Sequence, residues 1–457
     1  MAPFILLVQP WIYDFAAYDL WIKPLGLLSI ASVLKQAGCG VHLIDCLDPD
    51  HPDMRSLPGS RQPSRKENGQ GHFHRQELPK PSCLAGIARK YCRYGIHPEI
   101  FVKELCSLPR PDAVLVSSMM TYWYPAVTDC IRLIKKVFPD VPVLVGGVYA
   151  TLCSDHARTH TGADAILQGT FNLTMLKKFE QAIGKRLVRP SLNFFADPDC
   201  TLLRNQKTIP IQTSRGCPYS CPYCASSLLH SGFIQKSPSD VVSSIVRWYE
   251  QGATDFVLYD DALLVNAEQH FIPLFQKISA CGVRARFHAP NGLHVRGIDD
   301  RIAELMKQAG FSTLRLSLET VHPLVQQYIG SKASEQDFIR AVSSLMRAGF
   351  AADTIGAYIL AGLPFQKPQS VEHTIQFIRS CGLRPMIAEY SPIPGTPLWQ
   401  DAVRCSPFPI VDEPLFHNNT ILPCQWEEFT PDDLNRLKQL ARKPIEDQSY
   451  FSQARVS

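Results

Sequence analysis

The stretch "IPIQTSRGCPYSCPYCASS", Ile209 to Ser227, runs from a short apolar segment straight into three cysteines spaced C-x3-C-x2-C, with Pro218 and Pro222 between them. The prolines keep the loop off a helical path. The spacing lets three thiolates surround one centre. A structural zinc site takes four protein ligands, whereas a cubane iron-sulfur cluster on three cysteines leaves one iron for another molecule. The nearest residue able to complete a zinc site is His230, so a cluster, a Cys3His zinc site and chance clustering all stand at this point.

Working outward, amphipathic segments downstream end in "YEQG", "SACG", "KQAG", "MRAG" and "RSCG". Their glycines, Gly252, Gly282, Gly310, Gly349 and Gly382, suit the left-handed position that closes a helix. A strand candidate follows each one: "DFVLYD", "ARFHA", "TLRLSL", "TIGAYIL" and "MIAEYS". With "IPIQTS" these make six strands alternating with helices, a partial (βα)6 barrel over 209–400, with a C-terminal extension over 401–457. The cysteine loop then lies at the C-terminal strand edge, where such barrels carry their sites.

Upstream, "FILLVQP", "VHLIDCL", "DAVLVSSM", "VPVLVGG" and "ADAILQG" alternate with helical patterns such as "PLGLLSIASVLKQAG" and "AVTDCIRLIKKVF". Continuously apolar strands separated by helices predict an α/β, doubly wound parallel sheet. This domain is expected over 1–184, with a polar insertion at about 49–98 and a linker over 185–208.

Composition excludes several classes. The 457 residues carry a formal net charge of +4 with the signs intermixed, so no footprint for nucleic acid or anionic lipid stands out. The basic stretch from Arg61 to Arg75 is broken by Gly, Pro and Asn and reads as a solvated loop. Pro10, Asp14 and Asp19 interrupt the apolar N-terminus well short of the roughly 18 residues of a membrane span. There are 15 cysteines and no secretory signal, which points to a reducing cytoplasm; most of the scattered ones read as small core residues.

"CPYSCPYC" after a first barrel strand resembles the signature of radical SAM enzymes. The resemblance covers about 205–400 and implies a [4Fe-4S] cluster on Cys217, Cys221 and Cys224, with S-adenosylmethionine on the fourth iron. It also implies reductive cleavage to a 5′-deoxyadenosyl radical and a flavodoxin- or ferredoxin-type reductant. The cofactor-side positions it implies are Tyr223 beside the third cysteine, Asp260 and Asp261 in "YDDALL", and Asn291 in "APNGLH". In "LRLSLET" they are Arg315, Ser317 and Glu319, at period two on one strand face. Gly362 stands in "AGLPFQ", similar to the family's "GLPGET" turn, although Phe365 and Gln366 replace the usual small and acidic residues. Each has a plainer reading: Asp260 and Asp261 begin a loop, "NG" is a turn, and Arg315 pairs with Glu319.

"YSPIPGTPLW" matches the family's cobalamin-associated branch, and "VPVLVGGVYATL" resembles its N-terminal cobalamin-binding domain. That makes Gly146 and Gly147 cofactor candidates, against a plain tight turn. Cobalamin and methyl transfer to an unactivated carbon are thereby implied. The D-x-H-x-x-G motif that would supply a histidine to cobalt is absent, and "DPDHPD" at His51 has the wrong spacing. Cobalamin without a protein ligand and a domain that has lost it both remain open. The aromatic loop Trp11, Tyr13, Phe15, Tyr18 and Trp21 lines a corrin or substrate cavity, or packs an interface between domains. "ARKYCRYGI" recognises an anion through Arg89, Lys90 and Arg93, or is a capping helix. Cys405 and Cys424 are too few and too far apart for a second cluster. The competing class is a non-catalytic iron-sulfur or zinc scaffold. Neither the substrate nor a catalytic residue is legible.

Overall fold

The computed structural model describes residues 2–56, 62–189 and 193–445. Parts of the insertion, of the linker and of the C-terminal extension, and Arg61 of the basic stretch, lie outside the described residues. The chain divides into two compact units, one ending at Pro210 and one beginning at Ile211.

In the first unit the apolar runs form β1 (Phe4–Gln9), β2 (Gly40–Asp45), β3 (Ala113–Ser118), β4 (Val143–Gly147) and β5 (Ala165–Leu167). They pair in the order β2-β1-β3-β4-β5, each parallel to its neighbour. Ile5, Leu7, Leu115 and Leu144 face a core closed by Leu27, Ala31 and Leu34 of helix Leu25–Gln36 and by Leu176 and Phe179 of helix Leu173–Ile183. Burying side chains of this size is worth about 1.5–3 kcal/mol each, which explains strands apolar on both faces. The strand order reverses direction between β1 and β3, where ligand crevices open in sheets of this type.

A six-stranded sheet consists of β6 (Thr208–Ile211), which leads into the second unit, and of β7 (Asp255–Leu258), β8 (Arg286–His294), β9 (Phe311–Glu319), β10 (Ile355–Ala361) and β11 (Arg384–Glu389), in strictly sequential order. The two end strands do not pair, so this is a partial barrel. Gly252, Gly282, Gly310, Gly349 and Gly382 all take positive φ, from +71° to +95°, as expected of helix-closing glycines. Phe256, Phe275, Phe287 and Phe311 form a contiguous aromatic core in this unit. At the opposite, N-terminal edge of the strands, the buried Asp255 accepts from Arg286 Nε at 2.7 Å and stands 2.9 Å from His288 Nε2. His288 Nδ1 lies 3.0 Å from Thr313 Oγ1, so this polar plug is satisfied internally.

One expectation is corrected. "ARKYCRYGI" forms no helix: Cys92–Tyr94 is the central strand of an antiparallel sheet with Ile12–Asp14 and Arg75–Glu77. Arg93 is buried and donates to Gln76, and Lys90 pairs with Glu77 at 2.7 Å. The rings of the aromatic loop pack within the first unit. Trp11 meets Phe101 edge-on at 5.6 Å, and Phe15 meets Tyr91 at 5.4 Å, so insertion and loop bury one another inside the first unit. Of the loop's aromatic side chains only Tyr18 is exposed.

Candidate active site

Strand β6 delivers the chain to a tight loop whose first turn depends on Gly216, at φ +79°; a Cβ there would lie 2.1 Å from the Gly232 carbonyl oxygen. Cys217, Cys221 and Cys224 follow and line one cavity of about 410 Å³ at the C-terminal edge of the barrel. Burial raises the Cys217 and Cys224 thiols above their ordinary value, and a bound metal centre favours the thiolate form. Among the described residues no three His, Cys, Asp or Glu side chains converge tightly enough to hold a single metal ion. Sulfurs on a tetrahedral zinc stand about 3.8 Å apart, whereas thiols spread around a cavity of this volume suit a larger centre. His230 is absent from the cavity wall. Three sulfurs on one cavity wall fit a cluster that keeps one iron open.

The cavity also gathers Tyr223, Asp261, Asn291, Ser317 and Glu319. Asp261, exposed at the end of β7, accepts from Ser226 Oγ at 2.7 Å. Asn291 donates to the Asp260 carbonyl at 3.1 Å. The hydroxyl of Tyr223 is buried with no hydrogen-bond partner, and burial followed by the neighbouring Glu319 raises its pKa. Gly292 stands so close to Ser317 that a Cβ would meet Ser317 Oγ at 2.0 Å. Only a glycine keeps that wall open.

Three sequence-derived positions are placed elsewhere. Asp260 is buried outside the cavity wall, its carboxylate taking Thr213 Oγ1 at 2.7 Å and the Ser214 amide and hydroxyl at 2.5 Å each. It clamps the end of β6 to the end of β7, and although its burial raises its pKa, the Ser214 and Thr213 donors oppose that shift. Arg315 does not line the cavity, although Ser317 and Glu319 of the same strand do. Its Nη1 donates to the Leu314 carbonyl at 2.9 Å, and no Arg315–Glu319 pair forms. Gly362, at φ +84°, sits in a turn closed by Gln366, whose Oε1 accepts from the Gly362 amide at 2.8 Å while Leu422 packs against the glycine.

Sequence reasoning missed Lys332, His294, Tyr219 and Tyr358, all of which line the cavity. Lys332 Nζ donates to Glu319 Oε1 at 3.1 Å. His294 leans on Tyr219 with ring centroids 4.8 Å apart, and burial, helped by Lys332 and Arg296, lowers its pKa to about 4. Tyr358 donates to the Pro290 carbonyl at 2.9 Å.

In the first unit, Gly147 (φ +105°) is required by the chain itself, since a Cβ would lie 2.4 Å from the Ser118 carbonyl oxygen. Gly146 is different. Its nearest neighbours would stand 3.6 Å and 3.8 Å from a Cβ, ordinary contact distances, so packing alone does not demand a glycine there. A bare backbone at that strand end suits the close approach of a flat ligand.

Comparison with known proteins agrees with this geometry. Residues 211–378 match the model of the Radical SAM superfamily, and residues 84–176 match that of the B12 binding domain. An uncharacterized methyltransferase of Pyrococcus horikoshii is 25% identical over 372 residues, 73% of this chain and 76% of that protein. A hopanoid C-2 methylase of Rhodopseudomonas palustris is 26% identical over 317 residues, 64% of this chain and 58% of that protein. Among solved structures, the radical S-adenosylmethionine methyltransferase TsrM of Kitasatospora setae, with cobalamin and [4Fe-4S] cluster bound, aligns with a TM-score of 0.63 at 15% identity. That alignment covers 90% of this chain and 76% of TsrM.

Proposed function

Because the chain belongs to the radical SAM superfamily and carries a B12-binding domain ahead of the radical SAM one, we propose that it methylates a carbon of its substrate, as its methyltransferase relatives' names suggest. It is an enzyme that uses a [4Fe-4S] cluster, S-adenosylmethionine and cobalamin. When bound, these groups supply reductive cleavage of S-adenosylmethionine and a carrier for the methyl group. The observation that carries the reading is the cavity in which three cysteines meet Asp261, Asn291, Ser317, Glu319 and Lys332. A passive scaffold has no use for such a set, since polar groups turned into a barrel are costly unless they bind something.

Cys217, Cys221 and Cys224 hold the cluster. Asp261 and Asn291 offer acceptors to the cofactor's ammonium, and Lys332 offers a cation to its carboxylate. Ser317 and Glu319 take the ribose hydroxyls, with Tyr223 packed beside them. Asp260, Arg315 and Gly362 shape the wall from behind. Gly146, with Gly147 fixing its turn, gives backbone access to the corrin. Reduction needs an external donor, for which a flavodoxin or ferredoxin in the cytoplasm is the fitting class; among the described residues no helix is long and apolar enough to cross a membrane.

The test is anaerobic reconstitution followed by dithionite and S-adenosylmethionine. About four irons per chain and release of 5′-deoxyadenosine are expected, together with retention of cobalamin on desalting. Stoichiometric zinc without iron would overturn the reading.

A further inference from the structure

Cys405 ends helix Trp399–Cys405, and Cys424 lies in the turn that follows the short helix Asn419–Ile421. The fold brings them together. The Cys405 thiol donates to the Cys424 carbonyl at 3.5 Å, and the next residues are tied by Ser406 Oγ donating to the Pro423 carbonyl at 2.7 Å. Both are free cysteines, Cys424 fully buried and Cys405 8% exposed. We propose that Cys405 and Cys424 form a thiol–disulfide modification site, Cys405 attacking and Cys424 resolving, with a low-molecular-weight disulfide as oxidant.

The balance is that of thiol–disulfide exchange. Cys405 thiolate attacks one sulfur of the small disulfide and expels a thiolate; Cys424, losing its proton, then attacks Cys405 and expels the second. The two cysteines are oxidised, and one disulfide becomes two thiols. The surroundings favour this direction of attack. The Cys424 thiol and the Phe365 amide are placed to donate to Cys405, which lowers its pKa in spite of burial. The same contact pushes Cys424 well up. Cys405 is also the more exposed of the two, at 8% against 0%, so a small disulfide reaches it first.

The other adjoining pair, Cys46 and Cys130, provides the internal control. Both are fully buried, and burial, followed by the Cys130 contact, holds Cys46 well above its ordinary value. The Cys405–Cys424 bridge would fix the segment in which Leu422 packs on Gly362 and Trp426 Nε1 donates to the Gln366 carbonyl at 3.1 Å. It would thereby staple the last part of the unit to the turn after β10.

The experiment treats anaerobic holoprotein with 2-hydroxyethyl disulfide, quenches with N-ethylmaleimide under denaturing conditions and maps the peptides by mass spectrometry. Two alkylatable thiols should be lost, a Cys405–Cys424 peptide should appear, and the cluster absorption should persist. In Cys424→Ala, Cys405 should instead carry the mixed disulfide; in Cys405→Ala, Cys424 should be recovered alkylated. The proposal is overturned if treated holoprotein returns both cysteines fully alkylated and Cys424→Ala shows no adduct on Cys405. It is equally overturned if a Cys46–Cys130 bridge forms to the same extent, because proximity alone would then account for the result.

Discussion

Lys332 reaches back 13 residues to donate to Glu319 at 3.1 Å, and both side chains are largely buried in the wall of the cysteine-lined cavity. A buried pair of this kind costs desolvation that its own attraction only partly offsets, so it fits a site whose charges also meet a ligand. Lys332→Met should weaken S-adenosylmethionine binding about 10- to 100-fold, the worth of one charged hydrogen bond of about 1.5–3 kcal/mol. Cluster content should stay unchanged. Equilibrium dialysis with labelled cofactor reads this directly, and parental affinity in the variant would remove Lys332 from the cofactor site.

The adjacent aspartates should behave in opposite ways. Asp260→Ala strips the acceptor from Thr213 and Ser214 in a fully buried clamp, leaving donors unpaired at about 1–3 kcal/mol each. A melting temperature lower by about 5–10 °C is expected for a unit of this size. Asp261→Ala, at an exposed position, should leave the melting temperature within a degree or two and raise the cofactor's dissociation constant. Equal melting shifts for the two variants would show that they share one role.

This divergence marks where the sequence stopped being legible. The barrel could be read because glycines that close helices recur before every apolar run, and each signal is local. Neighbouring residues at a strand end point to opposite sides, so "DD" alone does not say which aspartate faces the cavity. The period-two face through Arg315, Ser317 and Glu319 brought Ser317 and Glu319 to the cavity but not Arg315, whose Nη1 turns back to the Leu314 carbonyl at 2.9 Å. Lys332 lies in the polar loop "GSKASE", where no periodicity flags it. Cys92–Tyr94 was misread because its partners, Ile12–Asp14 and Arg75–Glu77, are remote in sequence.

The polar plug beneath the barrel should make stability depend on pH. Burial works to raise the Asp255 pKa, but the hydrogen bonds from His288, Arg286 and Thr254 outweigh it and hold the carboxyl well below its usual range. A carboxyl depressed in the folded state contributes stability that is complete above its unfolded pKa of about 3.9 and is lost as the pH falls further. Asp255→Ala removes one partner of a buried pair and should cost about 3–5 kcal/mol at neutral pH. Urea melts at pH 7 and pH 3 check this. The gap between parent and variant should narrow at the lower pH, and a constant gap would exclude the linkage.

Cobalamin should bind in its base-off form with no protein histidine on cobalt. The loop after β1 contains none. His51 is buried and committed to the fold, with Nε2 3.0 Å from Glu104 Oε1 and Nδ1 accepting from the Asp53 amide at 3.2 Å. His156 is the other imidazole to weigh, on the short helix Ser154–His160 that follows the Gly147 turn. Its Nδ1 is 2.6 Å from the hydroxyl of the buried Tyr149, and its ring stacks on His160 with centroids 3.8 Å apart. Together these contacts tie the His156 ring to its own helix and to Tyr149. The visible spectrum of bound hydroxocobalamin should therefore be base-off in the parent and unchanged in His51→Gln and His156→Gln. A base-off spectrum that shifts in the His156 variant alone would make that histidine the axial ligand. Passage of the cobalamin through a desalting column unretained, with the cluster intact, would remove the methyl-transfer reading while leaving the radical SAM assignment in place.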